Sequence, residues 1–411
     1  MNAAVPSLGP GSRPADRPSR SAAAGHDCPW PKARELAGQA VRAPLPAERL
    51  DLAAALGRTL ADPLTALTDL PAFDTSAMDG WAVAGPGPWR LAGRVLAGRT
   101  PPPLADGWAT EIATGAQLPP GATAVLRREH GRAEGGTSLH ELVASGLPPG
   151  QDVRPRGQEC RRAEALLPAG TVVTPAVLGL AAACGYDRLP VRRRPTVELL
   201  VLGDELLAAG LPRPGLVRDA LGPLLEPWLS AAGAELIGRR FVQDDLGLLQ
   251  DAIGQSPAEV VVTTGGTAAG PVDFLHPALA AAGGRLLVDG VAVRPGHPML
   301  LAELPGGRHL VGLPGNPLAA VAGTATLALP LLHGLAGRPP GPGRFARTQA
   351  ALPGHPSDTR LLPVRLTEHG PVPLAFDGPA MLRGLALADA LAVVPPGGLP
   401  AGGRVELLAT P

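Results

Sequence analysis

The sequence predicts a multidomain α/β protein. A central α/β domain with a parallel sheet is expected, with a β-rich inserted domain, a mixed helical domain and a small C-terminal β-barrel-like domain. Three observations carry this. From Pro195 to about Gly337, apolar β-branched runs alternate with helical periods, the pattern of a parallel sheet covered on both faces. From Asp62 to about Leu147, short apolar runs are broken by Gly/Pro turns, which marks a β-rich unit. After Gly341 the short β runs return. At 411 residues the chain also exceeds one ordinary domain.

Each unit is justified in order. Residues 1–28 are rich in Pro, Ser, Gly, Ala and Arg and read as a disordered tail without an apolar signal segment. Residues 29–61 and 148–192 form one discontinuous helical and linking domain. Pro31 to Leu60 has a helical pattern, with Leu52 and Leu56 on one face and Gly57 as a stop. A second helix is expected over Pro175–Cys184, capped by Gly185. Residues 62–147 form the β insertion, with runs such as Trp81-Ala82-Val83 and Ala124-Val125-Leu126.

Residues 193–338 form the α/β domain. Strands are expected at Val197–Leu202, Ala234–Phe241 and Val260–Thr264, and helices at Asp219–Ala232, Leu246–Ile253, Val272–Ala282 and Pro317–Leu335. Residues 339–411 close the chain with strands at Leu361–Leu366, Ala390–Val394 and Arg404–Leu408.

Composition excludes some functions. Net charge is zero and only 18% of residues are charged, so no basic excess is available for nucleic acid or an anionic membrane. The Arg192-Arg193-Arg194 cluster reads as an interdomain link. Cys28, Cys160 and Cys184 are widely spaced and lack zinc-ligand spacing, so free thiols are expected. No stretch of ~18 or more residues reads as apolar enough to span a bilayer, and a cytoplasmic location is expected.

Five motifs can carry chemistry. Leu70–Ala82 holds Asp74, Thr75, Ser76 and Asp79, which can fix a cation or ligand, although a plain turn explains them better on these residues alone. Thr114-Gly115-Ala116-Gln117-Leu118-Pro119 is by itself a turn. Gly203-Asp204-Glu205-Leu206 ends a strand, so its acids face the expected ligand crevice; a helix N-cap explains them as well. Thr263–Asp273 runs from strand to Gly-rich loop to helix, and Gly265, Gly266 and Gly270 there suit an anion cradle or a simple turn. Arg294-Pro295-Gly296-His297-Pro298 and Gly312-Leu313-Pro314-Gly315-Asn316-Pro317 add a phosphate-pairing arginine and a loop opening a helix.

Taken in order, these segments resemble the molybdopterin molybdenumtransferase family, the MoeA and gephyrin E-domain type. The likeness runs from about Pro31 to the end; SAMDGWA and GLPGNP are its most specific parts, and Gly378-Pro379-Ala380-Met381-Leu382 resembles the terminal domain. The resemblance implies insertion of molybdate into adenylylated molybdopterin, with release of AMP. It implies Asp79, Glu205, Asp244 and Asp273 as catalytic residues, the last three also as ligands of Mg²⁺ or another divalent metal. Ligand contacts are implied at Thr114, Arg154, Gly265, Gly266, Gly270, Arg294, Pro295, Gly296, His297, Pro314, Gly315, Asn316 and Pro317. A homodimer is implied, with a site between the α/β domain of one subunit and the second domain of the other. Contacts with a molybdopterin adenylyltransferase or an apo-molybdoenzyme are a further expectation. Departures occur at Thr123, Glu159, Ala220, Leu221, Ala268, Gly290 and His297. They keep open a second reading, a molybdopterin-binding scaffold that has lost turnover.

Overall fold

Valine and leucine fill Thr196–Leu202, and this strand buries six of its seven residues. Such a run belongs between two helical layers. The computed structural model describes residues 27–142, 146–267 and 274–411, and in it this strand lies inside a six-stranded sheet. The order across the sheet is Glu235–Val242, Thr196–Leu202, Val260–Thr264, Arg308–Leu313, Leu300–Leu304, Arg285–Asp289. The first four are parallel, as expected. Leu300–Leu304 runs antiparallel to both its neighbours, because a tight Pro305–Gly307 turn folds it back on Arg308–Leu313. Chain direction across the sheet reverses beside Thr196–Leu202, which makes the carboxyl ends of that strand and of Val260–Thr264 the natural crevice.

The helices fall near their expected places: Leu221–Ala231, Leu246–Gln255, Leu275–Ala281 and the run Pro317–Leu335. The first starts two residues later than its pattern suggests. Asp219 stays outside as a cap, its Oδ1 accepting from the N–H groups of Leu221 (2.9 Å) and Gly222 (3.0 Å). The Pro317–Leu335 run corrects a second expectation. Its mean hydropathy of 1.6 suffices for a membrane span, yet 78% of it is buried inside the protein. It is a core helix, and its apolarity is spent on packing.

That helix widens into a π-turn at Thr324–Ala328. Two residues of the Trp30–Gln39 helix hold the turn. Arg34 Nη1 donates to Ala325 O (2.7 Å) and Trp30 Nε1 to Thr326 Oγ1 (3.0 Å). A π-turn loosens the regular ladder and leaves such acceptors for neighbours.

The pattern read as helical to Leu60 is mostly not helix. Its first part is the helix Trp30–Gln39, but beyond Pro46 the chain departs: Ala47–Asp51 is a strand paired with Arg188–Arg192, and only Leu52–Ala55 after it is helical. Leu56 is exposed rather than on a buried face, since the chain must turn at Gly57 (φ 74°). Segments on either side of the insertion pair with each other, Leu64–Thr65 with Ala165–Leu167 and Thr75–Ser76 with Val153–Arg154. The insertion itself is a six-stranded sheet. The C-terminal strands form as expected and join a seven-stranded sheet that also takes in Cys28–Pro29 and Val291–Arg294. Val291–Arg294 thus hands the chain of the α/β unit to the C-terminal sheet. The tail expected over residues 1–28 lies, up to residue 26, outside the described residues.

Candidate active site

The carboxyl ends of the parallel strands meet in a cleft of about 660 Å³. Glu205, Asp244, Gly265, Gly266, Gly315, Asn316 and Pro317 all line it. No helix follows Glu205; the chain instead enters a two-residue strand, Leu206–Leu207, so the N-cap reading of this motif falls. Gly203 (φ 135°) turns the chain sharply, and the Glu205 carboxylate lies back over it. A Cβ at Gly203 would sit 2.5 Å from Glu205 Oε2. Asp204 and Asp244 tie their two loops together, each carboxylate accepting the other's backbone N–H at 3.4 Å. Those bonds hold the floor of the cleft while Glu205 faces into it.

The glycine loops fit closely. Gly265 (φ 90°) gives its N–H to Leu313 O at 2.9 Å, so that donor is not available to a ligand. A Cβ there would also meet Leu202 O at 3.1 Å. Thr264 lines the cleft beside it, and its buried hydroxyl has no partner among the described residues. A buried, unpaired hydroxyl at a cleft wall is a ready contact for a bound ligand. Gly270 and Asp273 lie outside the described residues.

A second cleft, of about 450 Å³, lies between the α/β and C-terminal units. Arg294, Pro295, Gly296, His297 and Pro314 line it from one side; His355, Arg360 and Asp377 line it from the other. Asn316 borders both clefts, so the two are neighbours. The charged groups of the second cleft are fixed. Arg294 Nε donates to Asp358 Oδ2 at 2.8 Å, and its terminal Nη groups bond to no described residue. Arg360 Nη2 donates to Asp377 at 2.6 Å. Burial pushes the Asp358 carboxyl up, but bonds from Ser357 and Arg294 outweigh this and hold it below its ordinary value.

The helix opening at Pro317 does not offer its first N–H groups to an anion. Pro379 O, from the C-terminal unit, accepts from Leu318 N (2.9 Å) and Ala319 N (3.3 Å).

The structure does not bring every predicted residue here. Asp79 and Thr114 are together, with Asp79 Oδ1 accepting from Thr114 N (2.7 Å) and Thr114 Oγ1 (3.0 Å), but in the inserted domain. Those two bonds, and the charge of Arg128, hold the Asp79 carboxyl below its ordinary range. Arg154 pairs across a short strand with Thr75. All three are exposed, and none lines either cleft of its own chain. Nor do the described residues include a cluster of three groups able to hold a metal. Of the expected trio, Glu205 and Asp244 share the cleft. Sequence reasoning missed His355, Arg360 and Asp377, because they come from a unit whose placement only tertiary packing reveals.

An α/β crevice of acids and glycine loops, adjoining an arginine-lined cleft against a C-terminal β unit, defines a class: multidomain proteins built on a molybdopterin-binding-type α/β domain. Three family models match in order along the chain. They are the MoeA N-terminal region (domain I and II) at residues 28–185, a probable molybdopterin binding domain at 198–334, and the MoeA C-terminal region (domain IV) at 346–409. The molybdopterin molybdenumtransferase of Synechococcus elongatus is 34% identical over 315 residues, 72% of this chain and 77% of that one. That of Bacillus subtilis is 30% identical over 386 residues, 86% and 87% of the two chains. A solved molybdopterin biosynthesis MoeA protein from Pyrococcus horikosii superposes with a TM-score of 0.76 at 27% identity, covering 93% of this chain and 99% of its own. The chain belongs to the molybdopterin molybdenumtransferase family.

Proposed function

We propose that this protein inserts molybdate into adenylylated molybdopterin, cleaving the adenylate and releasing AMP. The observation that carries the proposal is the pair of clefts that adjoin at Asn316, one lined by Glu205 and Asp244 and the other by Arg294 and Arg360. The first suits a phosphoric anhydride bridged by a divalent cation; the second suits a free oxyanion. Placing the two reactants in adjoining clefts turns a bimolecular encounter into an oriented one.

Glu205 and Asp244 fit a magnesium ion, which takes one or two protein carboxylates and completes its shell with water and substrate phosphate. The buried, unpaired Thr264 hydroxyl supports a phosphate at the same place. When bound, the metal supplies charge neutralisation at the anhydride. The chain's own residues do the rest. Glu205 takes up the proton of the attacking oxygen group. Arg294, fixed through Nε, holds an oxyanion with its Nη groups. The loops of Gly265–Gly266 and Gly315–Asn316 let the ligand's backbone-facing side approach closely.

The exposed trio Asp79, Thr114 and Arg154 lines neither cleft of its own chain. This supports a homodimer in which the inserted domain of one subunit completes the site of the other. A cytoplasmic location goes with this reading. The test is direct: purified protein, adenylylated molybdopterin, Mg²⁺ and molybdate, with AMP followed by chromatography. Release of AMP is expected. Tight pterin binding without AMP under any divalent metal would replace the proposal by the scaffold reading.

A further inference from the structure

The second cleft is lined by four positive or potentially positive groups, Arg294, His297, His355 and Arg360, and each already has a carboxylate partner, His355 sharing Asp358 with Arg294. Arg294 is held by Asp358, Arg360 by Asp377, and His297 by Asp27 (Nε2 to Oδ2, 2.8 Å). The three carboxylates are not equally fixed. Asp358 has an 11% exposed side chain and also accepts from Ser357 Oγ at 2.9 Å. Asp377 belongs, like Arg360, to the C-terminal unit. Asp27 has a 45% exposed side chain and is the first described residue. Among the described residues it is followed by the two-residue strand Cys28–Pro29, paired with Val291–Ala292.

Its position depends on Gly290. A Cβ at that residue would lie 3.0 Å from Asp27 Oδ1, and Gly290 has a φ of 82° that disfavours other residues. The missing side chain makes room for the carboxylate next to His297. A carboxylate bonded to a cleft side-chain nitrogen occupies the position an incoming anion needs. The oxyanion and Asp27 therefore compete for one donor, and Asp27 is the partner that can leave.

We propose that Asp27 is an intramolecular competitor that sets the cleft's affinity for a tetrahedral oxyanion by occupying His297. The proposal rests on the reading of this cleft as an anion site. The oxyanion is free molybdate or the phosphate of a larger ligand; the shared chemistry is a tetrahedral group with anionic oxygens.

The experiment is calorimetric titration of the full chain with molybdate and, separately, inorganic phosphate. Wild type, Asp27→Ala, His297→Ala and the double variant are compared, with thermal melts to confirm folding. Both residues are partly exposed, so the fold is expected to persist. Asp27→Ala tightens binding of at least one anion about two- to fivefold, the span of a solvent-exposed ion pair. His297→Ala weakens it, and adding Asp27→Ala to His297→Ala changes nothing further. Molybdate-only tightening assigns the free oxyanion, and phosphate-only tightening a ligand phosphate; both support competition. Unchanged or weaker binding by Asp27→Ala overturns it, as does a gain that persists without His297. AMP release separates the two claims. Loss of AMP release with the Asp27 effect intact removes the enzyme reading alone; normal AMP release without the Asp27 effect removes the competition alone.

Discussion

Glu205 and Asp244 share a cleft but are held differently. Asp244 is bound into a reciprocal pair with Asp204, whereas Glu205 only folds over Gly203. Their replacements should separate accordingly. Glu205→Gln should lower the rate of AMP release ~100-fold, the usual scale for loss of a positioned proton acceptor, while pterin affinity changes little. An unchanged rate would remove Glu205 from the chemistry. Glu205 was legible in the sequence because it follows an apolar run, and strand ends in a parallel sheet point into the crevice; Asp244 was implied by the family resemblance alone. Thr264 was legible only as part of a strand-to-glycine motif; that its hydroxyl lacks a partner needed the packed structure. Arg360 and Asp377 carried no local signal at all.

The elements explain where pattern reading succeeds. The inner strands Thr196–Leu202 and Val260–Thr264 show continuous apolar runs because both faces are buried, and their positions were readable to within a residue; Arg308–Leu313 and Leu300–Leu304 were expected only as short strands without bounds. The stretch Ala47–Ala55 misled because alanine and leucine favour helix, while pairing with Arg188–Arg192 took the first half into a strand. The β insertion depends on Gly80. A Cβ there would stand 2.0 Å from Leu126 O, across the strand pairing of Gly80–Val83 with Ala124–Arg127. Gly80→Ala should destabilise the protein by ~2 kcal/mol or more, read as a lower midpoint in urea.

The core helix adds a pH effect. His333 is pushed down to about 4, first by burial and then by the charges of Arg338 and Arg34. Between the ordinary histidine value near 6.5 and about 4, the unfolded chain binds this proton and the fold does not. Stability is therefore complete above that window and is lost as pH falls through it, by up to ~3 kcal/mol. Denaturation across pH 7 to 4 should show a shallower acid loss in His333→Gln. An equal slope in both proteins would contradict it.

At the scale of the molecule, the sequence-level account placed Asp79, Thr114 and Arg154 in a site that a single chain does not form. The dimer reading resolves this and makes a sharp prediction. Glu205→Gln disables the α/β part of a site, and Asp79→Asn the inserted-domain part. Mixed dimers of the two variants would contain one site with both parts intact. AMP release should recover on mixing under exchange conditions, toward about a quarter of the wild-type rate if subunits pair at random. No recovery, with exchange verified by mass, would place both residues in one subunit's site. The order of the family's motifs was readable along the chain; how the units share a site came only from the resemblance, because that is a property of surfaces rather than of segments.

The central claim is that an anhydride-holding acidic cleft adjoins an oxyanion-holding cationic cleft. The most direct measurement is the single-turnover rate of AMP release from adenylylated molybdopterin as molybdate is raised at fixed Mg²⁺, in wild type and in Arg294→Ala. The account predicts a saturable rise with molybdate in wild type, and a half-saturating concentration about tenfold or more higher in the variant, the scale of a lost charged contact. A rate indifferent to molybdate, or identical saturation in both proteins, would contradict it.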